Sequence, residues 1–373
     1  MSTHSKNSRV KRILSLDGGG IRGTLSAKIL VEIEKALQTH YQDPLYRLGD
    51  FFDLVGGTST GSILAAGIAK GLSTTDLLSL YELDGVNIFQ KHWLAQIPGL
   101  RKLYNQYDPT NLEKKLLEVF QETTLGDSTL KCYLSITTKN ATTGQTRFFD
   151  NNQESYLYSE NSQVKLRDIV RASSAAPTFF PPHRFTIGQR AYEFIDGGVS
   201  LYNNPSFQLF LQAYEKDKLG WEVGADKLLL VSIGTGFAYE NIPVGKAANY
   251  TALDWAPYLV TRLMDDANVG QNQILQLISY QPNRFARKTN KVVKEQTFPH
   301  VDAEKLKDKF LTYYRFNASF EESRLKALGL SPSPQQLKAL KKMDCVDQIN
   351  FLQQIGAEVA KEQFDIDRFE GFL

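Results

Sequence analysis

Three glycine-marked segments hold side chains able to do chemistry. Gly57-Thr58-Ser59-Thr60-Gly61 fits G-x-S-x-G. That pattern puts a serine hydroxyl on a tight turn between a strand and a helix, where small flanking residues let the two elements approach. The helix N-terminus also favours negative charge developing near Ser59. Such a serine is a nucleophile for acyl transfer, and a nucleophile needs a base. Phe194-Ile195-Asp196-Gly197-Gly198 is an apolar strand ending in an acid on a glycine turn. There Asp196 can accept the Ser59 proton directly, although an Asp-Gly turn by itself is common. Asp17-Gly18-Gly19-Gly20-Ile21-Arg22-Gly23 is the third segment. Gly18, Gly19 and Gly20 can aim several backbone N–H groups at one point, as an oxyanion hole requires, and Arg22 adds a charge for the oxyanion or an anionic head group.

The same residues admit two other readings. Gly18, Gly20 and Gly23 spell G-x-G-x-x-G, the dinucleotide fingerprint, which also needs an acid about 20 residues on at the end of the next strand. The nearest acid is Asp43, beside Pro44, and a phosphate loop would need a Gly-Lys step where this chain has Gly23-Thr24. A non-catalytic nucleotide-binding module on the Gly18–Gly23 loop is therefore an alternative with missing partners. The five histidines are His4, His40, His92, His183 and His300, and none sits inside a glycine motif. Ser59, Asp196 and His300 do follow the Ser…Asp…His order of α/β-hydrolases, so a triad is the other alternative. His40 reads as a helix C-terminal cation and His183, after Pro181-Pro182, as structural.

Elements of a parallel sheet must position these groups. Val10 to Leu16 reads as a buried strand running into the glycine loop. Leu25, Ile29, Ile33 and Leu37 then mark one face of a helix. Asp50 to Val55 reads as a second strand ending in the Ser59 turn, before a small-residue helix from Ser62 to Lys70. Strand, glycine turn and helix, twice over, predict an α/β fold. Further strands are expected at Cys132 to Thr138, Thr146 to Phe149, Glu193 to Ile195 and Leu228 to Ile233, with a hairpin turning at Asn140 to Gly144. From Val301 onward the pattern is charged and helical, broken at Ser331-Pro332-Ser333-Pro334. Gly18 and Asp196 must meet at one sheet edge, so the division is a catalytic domain over 1–300 and a mostly helical extension over 301–373 packed on it.

With 43 basic and 41 acidic side chains in 373 residues, the net charge of +2 gives no argument for a DNA or RNA polymer as partner. Cys132 and Cys345 match no metal spacing and read as buried thiols in a reducing cytosol. The lead-in MSTHSKNSRVKR lacks the apolar core of a secretory signal, and no uncharged stretch reaches the roughly 18 residues of a membrane span. A cytoplasmic protein that touches the inner membrane face transiently is expected. Trp93, Leu94, Ile97 and Leu100 form an apolar segment suited to a core helix or to a lid. Arg284, Arg287, Lys288, Lys291 and Lys294 form a basic run suited to solvent or to an anion.

The three glycine segments in this order resemble the patatin-like phospholipase family. So do Arg171-Ala172-Ser173-Ser174-Ala175-Ala176-Pro177-Thr178-Phe179-Phe180-Pro181-Pro182 and Val231-Ser232-Ile233-Gly234-Thr235-Gly236. The resemblance implies a three-layer α/β/α fold around a mostly parallel sheet. It also implies a Ser59–Asp196 dyad hydrolysing acyl esters of membrane glycerophospholipids, an oxyanion hole at Gly18, Gly19, Gly20 and Arg22, and no metal or cofactor. Some bacterial members are antiphage effectors switched on by cyclic oligonucleotides. The short N-terminus and compact tail are compatible with that subgroup, which makes a cyclic oligonucleotide a candidate activator. Oligomeric state is left open.

Overall fold

The computed structural model describes residues 10–88, 107–239, 241–281 and 309–373. Two stretches of the sequence reading, the Trp93–Leu100 segment and the basic run from Arg284 to Lys294, lie outside them, as do His4, His92 and His300.

Among the described residues nine strands form one sheet. Its parallel part comprises β1 (Lys11–Leu16), β2 (Leu54–Thr58), β3 (Tyr133–Asn140), β7 (Leu228–Ile233), β8 (Ser279–Tyr280) and β9 (Leu311–Phe316). The antiparallel part is β4 (Thr146–Asp150), β5 (His183–Ile187) and β6 (Arg190–Asp196). The order is β5-β6-β3-β2-β1-β7-β9-β8, with β4 also paired to β3. The hairpin between β3 and β4 turns at Asn140 to Gly144, with Gly144 at φ 73°.

Helices cover both faces: α1 (Gly23–Tyr41), α2 (Leu48–Phe51), α3 (Thr60–Ala69), α4 (Thr74–Ile88), α5 (Thr110–Phe120), α6 (Tyr158–Asn161), α7 (Leu166–Ser173), α8 (Ser206–Tyr214) and α9 (Ala252–Ile278). Side chains of a strand alternate between faces, and the core divides accordingly. Leu229 and Val231 join the cluster under α1 and α3, while Leu228 and Leu230 join Leu209 of α8 and Leu275 of α9. The result is a three-layer α/β/α fold.

Two expectations are corrected. Asp50 to Phe52 is not strand. Leu48–Phe51 is a single helical turn because the Asp50 carboxylate accepts the Arg47 N–H at 3.1 Å, and β2 starts at Leu54 and continues through both glycines to Thr58. The region after 301 is not simply a helical extension. Leu311–Phe316 is a buried strand of the same sheet, parallel to β7. It supplies Arg315, whose guanidinium makes a two-pronged pair with Asp17 (Nη1 to Oδ1 2.8 Å) and donates to the Ser232 hydroxyl at 2.6 Å. Burial works against the Arg315 charge, but Asp17 beside it outweighs that and raises its pKa. The helices on either side of Ser331-Pro332 do break there: Glu322–Ala327 precedes it, and Pro334–Leu340 starts under a Ser333 cap.

Register explains where the loops meet. Leu16 pairs with Gly57 on one side and Ile233 on the other. The turns after β1, β2 and β7 therefore leave the sheet at one edge, and at β1 the connections diverge to opposite sides. That is the topological switch point where open α/β sheets bind ligands. Antiparallel β6 enters from beyond this edge and stops with Asp196 opposite Thr138, next to the Thr137–Thr58 pair that precedes Ser59.

Candidate active site

Ser59 caps α3 with φ 55° and ψ −125°, a conformation costly for any residue with a Cβ, at ~1–3 kcal/mol. Local contacts hold it. The Ser59 N–H donates to the Ser173 hydroxyl at 2.8 Å, and Ser173 in turn donates to the Thr137 carbonyl at 2.7 Å. The Ser62 hydroxyl donates to the Ser59 carbonyl at 2.6 Å. A Cβ on Gly61 would stand 2.2 Å from the Leu16 carbonyl oxygen, so only glycine lets α3 begin this close to β1.

Asp196 is buried, and its side chain lines the same cavity as that of Ser59, which favours its charged form. Its Oδ1 also accepts the Gly198 N–H at 2.7 Å. Burial pushes its pKa up from 3.8 to about 6, against the lowering influence of the Ser59 hydroxyl and the Gly198 N–H. A carboxylate held there is a stronger base than one in water, yet ionised at neutral pH.

The glycine loop splits between two sides. Gly19 and Gly20 line the Ser59 cavity. Gly20 has φ 61°, a region open to glycine, and a Cβ there would meet the Met343 carbonyl oxygen at 2.3 Å. Gly18 differs from expectation, because its N–H donates to the Asn203 carbonyl at 3.0 Å and is not a free donor. Its carbonyl is held by Thr235 Oγ1 at 2.9 Å. Arg22 also differs. It faces a neighbouring cavity rather than the one containing Ser59. Met343 clamps the loop from the C-terminal region by accepting the Ile21 N–H at 2.8 Å.

The Ser59 cavity has a volume of about 320 Å³, within the usual range for small-molecule sites. Its wall is mostly apolar, with Ile63, Leu80, Leu112, Leu116, Phe120 and Phe180 among the contributors and Lys115 and Ser174 among the polar exceptions. Ser173, Asn203 and Arg315 support the site, yet sequence motifs alone do not single them out. Ser173 lies inside the Arg171 to Pro182 stretch without a role of its own there. Arg315 carries no signal, since its partner is 298 residues away.

The other chemistry-bearing residues lie elsewhere. His183 opens β5 and contacts Asp168 at 3.1 Å, and His40 sits exposed in the last turn of α1. Cys345 is buried, with its thiol pushed up to about 11, and Cys132 is half-buried and also raised, mainly by burial in each case. No group of three or more His, Cys, Asp or Glu that could hold a metal occurs among the described residues. No helix among them is long and apolar enough to cross a membrane.

This fold and site define a class. The patatin-like phospholipase family profile matches residues 14–210. The chain belongs to that family. It is 38% identical over 211 residues to a cGAMP-activated phospholipase of Vibrio cholerae, an alignment covering 55% of this chain and 57% of that protein. It is 35% identical over 227 residues to a cGAMP-activated phospholipase of Escherichia coli, covering 60% and 62%. Patatin-17 of Solanum cardiophyllum is 31% identical over 287 residues, covering 71% of each. The chain thus spans about three-fifths of the two bacterial relatives.

Proposed function

We propose that this protein is a serine acyl hydrolase of phospholipase A type, acting on membrane glycerophospholipids. The observation that carries the reading is that Ser59, on its strained turn, and buried Asp196 line one largely apolar cavity walled by Gly19 and Gly20. Asp196 takes the Oγ proton as Ser59 attacks the ester carbonyl. The tetrahedral oxyanion is stabilised by the N–H groups of Gly19 and Gly20, each worth on the order of 10²–10³ in rate. Collapse expels the lysophospholipid, whose oxygen takes the proton from Asp196. Water, deprotonated by Asp196, then releases the fatty acid from acyl-Ser59. The apolar wall holds the acyl chain. No cofactor enters this scheme. The closeness of Asp196 to Ser59 at one cavity favours the dyad over the Ser59/Asp196/His300 triad, which would put an imidazole between them. The nucleotide module on the Gly18–Gly23 loop leaves that placement without a purpose.

We extend the reading to control. The two bacterial relatives are activated by cGAMP, and this chain is taken to be gated by a cyclic oligonucleotide in the same manner, as an antiphage effector. It would work in the cytoplasm and meet the inner membrane face transiently. Fatty-acid release from mixed phospholipid vesicles tests both parts. Release is expected to be near background alone and to rise on the order of 10-fold or more with cGAMP or another cyclic oligonucleotide. Full release without any ligand would leave the hydrolase and remove the gate. No release under any condition would remove the hydrolase.

A further inference from the structure

A second cavity of about 170 Å³ adjoins the Ser59 cavity across the glycine loop. Gly18 and Arg22 face it, whereas Gly19, Gly20, Ser59 and Asp196 face the other. Thr261 and Met264 of α9, together with Met343, line both. The two cavities are thus separated by the proposed oxyanion element and a few side chains.

Arg22 is the unusual member of this wall. It is 9% exposed. Its Nε donates weakly to the Gly19 carbonyl at 3.4 Å, and its terminal nitrogens have no hydrogen-bond partner among the described residues. Elsewhere on the same wall Arg315 is held by Asp17 and Arg324 by Glu362. Asp265, the acid that acts most on Arg22, bonds Arg262 at 3.0 Å instead. A buried guanidinium without a paired acid is costly until an anion arrives. Its planar fork matches a phosphate well.

The rest of the wall suits a base. Asn268, Asn272 and Gln276 stand four residues apart on α9, hence on one face, and present amide donors and acceptors to the cavity. Phe237 and Tyr239 supply aromatic faces, packed edge-on at 5.5 Å. A lipid head group would have no use for that combination. The volume fits part of a large ligand rather than the whole.

We propose that this cavity is the regulatory site, taking one nucleotide unit of a cyclic oligonucleotide with its phosphodiester on Arg22 and its base against the α9 amides and the aromatic pair. The inference rests on the cyclic-oligonucleotide gating proposed above. Arg22 contacts the carbonyl of the peptide whose N–H belongs to Gly20, a proposed oxyanion donor. Anion binding at Arg22 therefore fixes the orientation of that peptide, and the ligand acts as a positioning device for the oxyanion hole.

Calorimetric titration of the full chain with cGAMP, alongside vesicle hydrolysis, tests the site. Asn272→Asp keeps an acceptor for the Tyr313 hydroxyl, now 3.0 Å from Asn272 Oδ1, while removing the amide donor to the base and placing a negative charge in the cavity of an anionic ligand. Gln276→Glu does the same one turn on and serves if the first variant proves unfolded in a thermal melt. Both are expected to weaken cGAMP binding by at least ~10-fold and to shift activation to higher cGAMP by the same factor. Wild-type affinity in the folded variants would overturn the site and leave the gate standing. Displacement of cGAMP by glycerophosphocholine would assign the cavity to lipid head groups and overturn it likewise. A wild type that neither binds nor responds to cGAMP or other cyclic oligonucleotides would overturn the gate, and this inference with it.

Discussion

Ser59→Ala is expected to lower fatty-acid release by ~10⁴–10⁶, the range in which a lost nucleophile leaves only the contribution of binding and the oxyanion hole. The fold should tolerate the change. What holds the strained turn is the backbone N–H of Ser59 on Ser173 and the close packing at Gly61, and neither involves the Ser59 hydroxyl. Alanine keeps the same unfavourable φ, so the strain is unchanged rather than relieved. The variant should therefore bind phospholipid and melt near the wild-type temperature while failing to turn over. Vesicle hydrolysis and a thermal melt on the same preparation separate these outcomes. Lipid hydrolysis that survived the substitution in pure protein would show that the nucleophile lies elsewhere.

Asp196→Asn should cost activity on a similar scale and gain stability. An amide cannot take the Ser59 proton, so turnover falls by several orders of magnitude. The stability effect follows from the raised pKa. In the folded chain Asp196 titrates near 6, against 3.8 ordinarily. The folded state binds this proton more tightly than the unfolded one, so the associated stability is fully present below about pH 4 and is lost as pH rises through about 6. Above that, a buried charge is carried at a cost on the order of 3 kcal/mol, which asparagine does not carry. The variant should melt several degrees higher than wild type at pH 8, with the difference vanishing near pH 4. Wild-type kcat/KM should show the matching acid limb, rising with pH through about 6. A variant less stable than wild type at pH 8, or a pH profile flat from 5 to 8, would contradict the role given to this carboxylate.

Much of this site is legible in the sequence because its parts need glycine. Gly61 allows α3 to start against β1, and Gly20 takes a φ that other residues resist. Such constraints leave marks in the order of residues, so the turns after β1 and β2 and the acid after β6 stand out from the chain around them. The periodic burial of Leu25, Ile29, Ile33 and Leu37 on α1 is equally plain.

What escapes a sequence reading is set by distant partners. Leu311–Phe316 is six residues beside a charged stretch, and its strand character comes from pairing with β7 rather than from alternation. Arg315 inside it would look wrong for a buried strand without Asp17, which only the fold brings near. The 27-residue α9 carries Asp254, Arg262, Asp265 and Asp266, which blur its apolar face, yet it forms a wall of both cavities. Gly18 and Arg22 belong to the right motif but serve different ends from those expected. The Asn203 carbonyl occupies one N–H, and the guanidinium turns to the far side of the loop. Motif membership reports which loop matters, and only geometry separates the roles within it.

The most direct test of the dyad is covalent labelling. An alkyl fluorophosphonate, incubated with the protein with and without cGAMP and followed by peptide mass spectrometry, reports which serine is activated. The expected result is one adduct, on Ser59, formed in wild type and absent from Asp196→Asn. An adduct on a different serine, or an unlabelled Ser59 in protein that is releasing fatty acid, would contradict the account.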